Sequence, residues 1–128
     1  MKYMILTYLE EQKWLALSHE QQQAEMASCA PLINQLIKEN KLLAGAPLHP
    51  TSTATTLRNR DGKRLMTDGP FAETREQLGG YTILDVKDLD EAIAIAKGIL
   101  GTSTLATLEL RPILEFEGVD AAPKRVSS

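Results

Sequence analysis

The chain has 128 residues, of which 43% are hydrophobic and 24% are charged, and its net charge is −3 at pH 7. This size fits one domain with one core, and because acidic and basic residues are interspersed, neither nucleic acid nor an anionic membrane is expected as a partner. No apolar run approaches the roughly 20 residues that a membrane-spanning helix needs.

The first residues are predicted to form a buried strand of a cytoplasmic protein. Residues 2–9 are rich in Tyr, Ile, Leu and Thr, as in a strand deep inside a sheet. The run then turns acidic and lacks a small-residue cleavage site, so it is not expected to be a signal peptide.

Cys29 is the only cysteine, so neither a disulfide within the chain nor a thiolate metal cluster is expected. A polar connection containing Trp14 should follow the strand.

A helix is predicted to begin near His19 and to end near Asn40. Ser18 followed by Gln21 is a capping-box pattern. Pro31 lies inside the helical pattern, where it removes a backbone donor, so a kink or two abutting segments are expected there. Apolar residues repeat at three- and four-residue steps and should form one stripe: Met26, Ala30, Ile33, Leu36 and Ile37.

A short strand and a hairpin are predicted next. Residues 41–48 form the strand, which their glycine and proline should bend or shorten. Residues 53–59 and 64–67 are strand-like and are joined through Asp61-Gly62. Asp-Gly between two such runs is the preferred chemistry of a tight turn with positive φ at its centre.

The last third of the chain predicts a strand, a helix and an edge strand. Residues 80–86 form the strand, and Asp88 with Glu91 should cap the helix, whose buried stripe is Leu89, Ala92, Ile93, Ala96 and Ile99. Residues 105–116 alternate between apolar and polar, and Pro112 places that strand at an edge or bulge because it lacks an N–H. The domain should therefore span residues 1–116, with a flexible tail over 117–128.

The order of elements predicts an α+β fold. It is β-α-β, a hairpin, then β-α-β, which without the hairpin is the split-βαβ or ferredoxin-like pattern. Both helices then cover one face of an antiparallel sheet and leave the other face open. In a chain of this size an apolar open face is best buried against a second copy, so a homodimer is expected.

The stretch 67–81, TDGPFAETREQLGGY, is the candidate functional segment because it is dense in turn-forming and charged residues. Asp68 precedes Gly-Pro, so a regular element cannot continue through Pro70. One interpretation makes Asp68 a turn aspartate that accepts backbone N–H bonds and caps a short helix beginning at Pro70. The other makes it a general acid or base that the rigid turn holds in a cleft.

Several other residues of this stretch have more than one interpretation. Glu73 and Glu76 would share one face of a helical turn, either as solvated charges or as ligands of a divalent ion, although no third ligand is evident. No metal site is therefore expected. Tyr81 either directs its hydroxyl into a cleft or packs at the rim, and Phe71 would form an apolar wall.

Outside this stretch, His49 and Arg111 are the candidate ligand-binding residues. His49, which follows Leu48 and precedes Pro50, is a site candidate because histidine side chains commonly serve as acids, bases or ligands. Arg111 is either an ion-pair partner of Glu109 or Glu115, or an anchor for an anionic group. No Ser-His-Asp order and no closely spaced pair of histidines can be assembled from the sequence.

The run 67–74, followed by 76–81, resembles the signature of the DGPF-domain proteins, which belong to the YCII-related group. Supporting matches are MKYMILTY at the start, TATT at 53–56, DLDEA at 88–92 and LRPI at 110–113. Together they cover residues 1 to about 116. The fifteen residues of 67–81 match almost contiguously, which makes the resemblance specific.

The resemblance implies a ferredoxin-like α+β domain that pairs as a dimeric α/β barrel. It implies less about activity, because most such proteins have no assigned reaction. A His-Asp pair suggests enzymes in the wider group, one branch resembles a dechlorinating enzyme, and many DGPF proteins resemble accessory partners of extracytoplasmic-function sigma factors. Asp68 matches the motif aspartate, but the position of the group's first-helix His falls near Cys29. A buried, inert thiol is expected there rather than a nucleophile.

Two hypotheses for the function follow. The first is a small-molecule binding protein or enzyme that works without a metal or an organic cofactor. In it Asp68 is the acid or base, and the other cleft residues are Phe71, Tyr81, His49 and Arg111. The second is a non-catalytic interaction module, such as an accessory regulator of an extracytoplasmic-function sigma factor.

Overall fold

The computed structural model describes residues 1–115 and consists of six strands and four α-helices within that range. In chain order the elements are β1 (Lys2–Leu9), α1 (Glu11–Leu15), α2 (His19–Ala27), α3 (Ala30–Lys38), β2 (Leu42–Pro47), a 3₁₀ turn (Thr51–Thr53), β3 (Thr55–Arg60), β4 (Lys63–Asp68), β5 (Gln77–Asp85), α4 (Leu89–Leu100) and β6 (Ala106–Pro112). The predicted order of a β-α-β unit, a hairpin and a second β-α-β unit is confirmed. Phe116 and the predicted tail lie outside the described residues.

Four strands form one antiparallel sheet in the order β2-β5-β1-β6, and β3 and β4 form a separate hairpin. Strand β1 is antiparallel to both of its neighbours, and β5 is antiparallel to β2. With the hairpin left out, the spatial order is second, third, first and fourth strand. This arrangement is α+β and compatible with the predicted ferredoxin-like fold.

The first helical region is divided, as the proline predicted. Ser18 accepts a hydrogen bond from the Gln21 N–H, and the Gln21 side chain accepts one from the Ser18 N–H, so the capping box is confirmed. Helix α2 ends before Cys29, and α3 begins with Pro31 in its first turn. The predicted continuous stripe is wrong in its first half, because Met26 is 49% exposed. The break between the two helices prevents the apolar face of α3 from continuing along α2.

Helix α1 was not predicted from the sequence, which indicated a polar connection there. Its five residues include Trp14, which is half-buried. The predicted hairpin turn is confirmed, since Asp61 and Gly62 have φ values of 53° and 75°. Positive φ at both central residues gives the turn a twist that matches the two strands.

The core lies between the sheet and helices α3 and α4. Its largest fully buried side chains are Ile5 and Leu84, which lie on adjacent strands and point to the same side of the sheet. Helix α4 contributes Ile95, whereas Leu89 and Ile93, expected in the stripe, are 47% and 36% exposed. The other buried residues are Tyr3, Leu36, Leu42, Val86, Ala92 and Ala96.

The N-terminus of α4 is capped as predicted, with one difference. The Asp88 carboxylate accepts a hydrogen bond from the Glu91 N–H at 2.9 Å. The Glu91 carboxylate reaches back one residue further than in a regular capping box and accepts from the Lys87 N–H at 3.0 Å. Both carboxylates therefore bind otherwise unpaired donors at the positive end of the helix.

Strand β6 is at the edge of the sheet, as Pro112 predicted. Leu108 and Leu110 pack against the core. Thr107, Glu109 and Arg111 alternate with them and are exposed, so the predicted alternation is confirmed within β6. The predicted extent is wrong, because the strand ends at Pro112 and Leu114 is 78% exposed.

We call the sheet surface that faces away from the helices the open face. The cross-strand pairs Met4–Ile83, Leu6–Tyr81 and Tyr8–Thr107 place these side chains on it, together with Glu109 and Arg111. Its central residues are half-buried rather than covered. No helix in the described part of the chain is long and apolar enough to cross a membrane.

Candidate functional site

The motif segment is a loop rather than a helix. Asp68 is the last residue of β4 and lies opposite Thr55, and residues 69–76, here called the motif loop, have no helical turn. The predicted short helix beginning at Pro70 is therefore wrong, as is the shared helical face of Glu73 and Glu76. The loop takes its conformation from hydrogen bonds to distant parts of the chain instead.

The backbone beside Asp68 is held firmly, whereas its side chain is not. The Gly69 N–H donates to the Ala54 carbonyl at 2.6 Å, and the Thr56 hydroxyl donates to the Gly69 carbonyl at 2.7 Å. Gly69 has a φ of 99°, which favours glycine. The Asp68 carboxylate is exposed, and among residues 1–115 it takes part in no hydrogen bond or ion pair. It is thus neither a cap nor the wall of an enclosed pocket in the single chain.

The other predicted site residues are spread over two regions. Phe71 is 75% exposed in the motif loop, and His49 is exposed in the connection after β2. Tyr81 and Arg111 both lie on the open face, on the two strands that flank β1. The structure therefore brings Tyr81 and Arg111 onto one surface and leaves the remaining predicted residues at the periphery.

A shallow surface depression of about 440 Å³, largely open to solvent, lies where the motif loop meets the open face. We call it the cleft; its lining residues are Tyr8, Arg75, Glu76, Thr107 and Glu109. Two of the five come from the motif loop and three from adjacent strands. Only the motif loop was a predicted part of a site.

Hydrogen bonds connect the two sides of the cleft. The Thr107 hydroxyl donates to Glu76 Oε1 at 3.2 Å, and the Tyr8 hydroxyl donates to Glu109 Oε1 at 3.4 Å. Within the described part of the chain no hydrogen bond reaches Oε2 of either glutamate. Each carboxylate therefore presents a free acceptor atom in the cleft.

Arg75 brings a positive charge to the rim of the cleft. Its Nε lies 3.8 Å from Glu10 Oε1, but its side chain is 91% exposed and free to move. The pKa of Glu10 is lowered mainly by a hydrogen bond from Lys13, whereas the charge of Arg75 contributes less. The Arg75 guanidinium is thus weakly engaged and available to another group.

A polar clasp, formed by Glu11, Thr51 and Gln77, anchors the loop that carries Arg75 and Glu76. The Thr51 N–H and hydroxyl both donate to the Glu11 carboxylate at 2.7 Å. The Glu11 N–H donates to Gln77 Oε1 at 2.9 Å, and the Gln77 amide in turn donates to the Thr74 carbonyl. Because the clasp joins α1, the 3₁₀ turn and β5, it fixes the place where the motif loop enters the sheet.

A bulge orients the end of β1 that carries Tyr8. Between Thr7 and Tyr8 the pairing with β5 shifts by one residue, so that Gly79 has no partner in β1. A Cβ atom at Gly79 would lie 2.8 Å from Leu9 Cδ1. The glycine allows this close approach, and the bulge increases the local twist beside the cleft.

The comparisons with known proteins agree with this architecture. A family model of the YCII-related domain matches residues 1–117. This chain belongs to the YCII-related family. An uncharacterised protein of Rhizobium meliloti (strain 1021) is 35% identical over 118 residues, which cover 91% of this chain and 95% of that protein. The predicted family is thereby confirmed, and the narrower resemblance to DGPF-domain proteins stays a prediction.

In this YCII-related domain, Cys29 is half-buried at the junction of α2 and α3 rather than fully buried. Its Sγ lies 3.7 Å from the Met26 carbonyl. Among residues 1–115, no three His, Cys, Asp or Glu side chains come together as metal ligands.

Sequence reasoning missed Tyr8, Thr107 and Glu109 as members of a site. A signal was present, because Thr107 and Glu109 alternate with the core leucines of β6 and so point to the face opposite the core. Tyr8 follows Leu6 by two residues and shares its face. What the sequence did not contain was the pairing of β6 with β1, which puts Tyr8 opposite Thr107.

Proposed function

We propose that this YCII-related protein acts in the cytoplasm as a homodimer that joins the open faces of two copies, and that each copy binds a small polar molecule in the cleft. One observation supports both parts. Within the described chain, the apolar open face has no covering layer and continues directly into the cleft, where Glu76 and Glu109 have free acceptor atoms. The pairing would form an α/β barrel of two sheets with the helices outside.

The dimer is supported by the composition of the open face. Met4, Leu6, Tyr81 and Ile83 form its apolar centre, and burial of such a surface stabilises association by about 25 cal/mol per Å² before the costs of binding. In a two-fold dimer each copy meets the same surface of the other. The rim of the open face carries Arg111 and acidic side chains, so it has charges of both signs for self-complementary contacts.

The chemistry of the cleft favours a ligand with hydrogen-bond donors. Free oxygens of Glu76 and Glu109 accept hydrogen bonds, and the Arg75 guanidinium can pair with a negative group. A small molecule that carries an amine or hydroxyl group fits this set, and its binding needs neither a metal nor an organic cofactor. Asp68 lies outside the cleft of its own chain, so its predicted catalytic role requires enclosure by the second copy.

A ligand screen with matched variants tests this proposal. Thermal-shift measurements with small amines, hydroxy acids and phenols would compare the wild type with Glu109→Gln and with Glu25→Gln, an exposed control on α2. We expect a ligand that stabilises the wild type and the control but binds Glu109→Gln about tenfold more weakly or worse, since a hydrogen bond to a charged group contributes roughly 1.5–3 kcal/mol.

Two results would contradict the proposal. Equal shifts in Glu109→Gln and the wild type would place the ligand elsewhere. A single species of 14.1 kDa in sedimentation at micromolar concentration would exclude the homodimer. Together with the absence of any ligand shift, it would favour the interaction module, for which binding to a sigma factor is the direct test.

A further inference from the structure

The hairpin of β3 and β4 has a basic face without a counter-charge. Arg60 lies directly opposite Lys63, and Arg58 is two residues along on the same face. All three side chains are exposed, and among residues 1–115 none forms an ion pair. We call these three residues the basic face of the hairpin.

This arrangement is unfavourable in an isolated chain. Like charges directly opposite each other on a strand pair repel. Residues 55–68 carry four basic and two acidic side chains, so the hairpin has a charge of +2 and the rest of the chain −5. The basic face therefore fits a surface with carboxylates, and the rest of the same polypeptide carries a net negative charge.

Within residues 1–115, the basic face forms no ion pair with an acidic side chain of its own chain. The hairpin is tied down at its base, where Gly69 bonds to Ala54, and its six-residue strands extend about 20 Å from there. None of its residues lines the cleft. A hairpin of only two strands is also marginally stable without a packing partner. A contact with another chain would therefore both neutralise its positive charge and stabilise its two strands.

The cleft has the complementary chemistry. Glu76 and Glu109 each leave Oε2 without a hydrogen bond in the described part of the chain. The connection to the hairpin also leaves the sheet at the end where the cleft lies. The last bond of this connection to β5 runs from the Leu48 N–H to the Gly79 carbonyl. The next residue of β5, Leu78, pairs with Tyr8, which lines the cleft. In a two-fold dimer the same end of both copies is available for mutual contact.

We propose that the hairpin of each copy lies across the cleft of the second copy, with its basic face toward Glu76 and Glu109. This inference rests on the homodimer proposed above. The site is then composite, with carboxylates from one chain and guanidinium and ammonium groups from the other. It takes a small molecule that carries both a hydrogen-bond donor and an anionic group, because each half of the site recognises one of them.

Disulfide trapping between two variants tests this contact. In a Cys29→Ser background, Arg60→Cys in one preparation and Glu109→Cys in another would be mixed, allowed to exchange subunits and oxidised with copper phenanthroline. We expect a cross-linked species of twice 14.1 kDa that contains one chain of each variant. The control is Arg64→Cys, on the opposite face of the same hairpin, which should cross-link to Glu109→Cys at least tenfold more slowly.

The outcomes separate this inference from the homodimer itself. A dimer in sedimentation that shows no cross-link, or equal cross-linking at residues 60 and 64, overturns the hairpin contact and leaves the homodimer intact. This is also the result expected when the basic face binds another acidic protein or a free anion. A monomer in sedimentation overturns both. Since all substituted side chains in the hairpin are exposed, the variants should fold, and circular dichroism of each preparation checks this.

Discussion

The Thr107 hydroxyl donates a hydrogen bond to Glu76 Oε1 at 3.2 Å, which joins the edge strand to the motif loop across 31 residues of sequence. This bond and the polar clasp are two of the contacts that hold the C-terminal part of the loop beside the open face. The loop carries the family-like sequence, while the strands provide the rest of the cleft. The position of the loop is therefore the first property to test.

Removal of the Thr107 hydroxyl should loosen the motif loop. Thr107→Val keeps the shape of the side chain but loses the donor, and an intramolecular hydrogen bond contributes roughly 0.5–1.5 kcal/mol. We expect trypsin to cleave after Arg75, whose side chain is 91% exposed, up to about tenfold faster than in the wild type. Thr107→Ser retains the hydroxyl and should match the wild type. An unchanged cleavage rate in the valine variant would show that the bond does not hold the loop.

Asp68 and Gly69 should respond differently to substitution. Asp68→Asn is expected to change the free energy of unfolding by less than about 0.5 kcal/mol, because the carboxylate is exposed and unbonded in the described chain. Gly69→Ala should cost about 1 kcal/mol or more, because its φ is 99°. Urea unfolding measures both. A large loss of stability in Asp68→Asn would contradict this expectation. It would mean that the carboxylate makes a stabilising bond that the single chain does not contain.

The polar clasp should contribute measurably to stability. Glu11→Gln weakens the bonds from Thr51, which are both 2.7 Å long, and we expect a cost of about 1–3 kcal/mol in the free energy of unfolding. Thr51→Val removes only the hydroxyl and should cost less. A double-mutant cycle isolates the pair, and additive effects of the two substitutions would mean that the bonds do not couple these residues.

Stability should fall in acid partly through Glu91. Its pKa lies below the ordinary value of 4.5, chiefly because its carboxylate accepts the Lys87 N–H and, to a smaller extent, because it pairs with Lys41. A carboxyl group with a lowered folded-state pKa stabilises the protein above the unfolded pKa, and that contribution is lost as the pH falls through the folded pKa. Urea unfolding at about pH 6 and about pH 3.5 should thus show a smaller difference for Glu91→Gln than for the wild type. Equal differences would count against this assignment.

The core should tolerate truncation far less than the surface. Leu84 is fully buried, so Leu84→Ala is expected to cost about 2–5 kcal/mol in the free energy of unfolding. Leu114 is 78% exposed, and Leu114→Ala should stay within about 0.5 kcal/mol. Chemical unfolding of the pair measures the contrast, and similar costs at both positions would place Leu114 in an interface.

Local chemistry predicted the elements whose causes are local. Ser18 and Asp88 marked helix starts through their own side-chain bonds, and Asp61-Gly62 marked a turn because few other pairs adopt its backbone angles. The order of the elements predicted the split-βαβ topology, and the family resemblance implied the same fold. Where Pro31 interrupted a helix, the break was predicted, but its effect on the exposure of Met26 was not, because that depends on how the two segments pack.

The candidate site was predicted in part, because its geometry comes from contacts between distant residues. The motif loop looked helical after Pro70, yet its path is set by Gln77 and Glu11, which are 66 residues apart. The cleft needs Tyr8 beside Glu109, a separation of 101 residues. Neither contact leaves a periodic pattern in the sequence, so the prediction rested on the turn-forming, charged and family-like composition of 67–81, which pointed to Asp68 and Phe71.

The central place of β1 has a consequence for how the protein is made. Both of its neighbours in the sheet, β5 and β6, come from the last part of the described chain. During synthesis the first strand therefore leaves the ribosome long before either partner exists, with Ile5 and Leu6 unprotected and prone to aggregation. The sheet can close only after β6 has been synthesised, so slower expression at low temperature and chaperone capacity should determine the yield of folded protein.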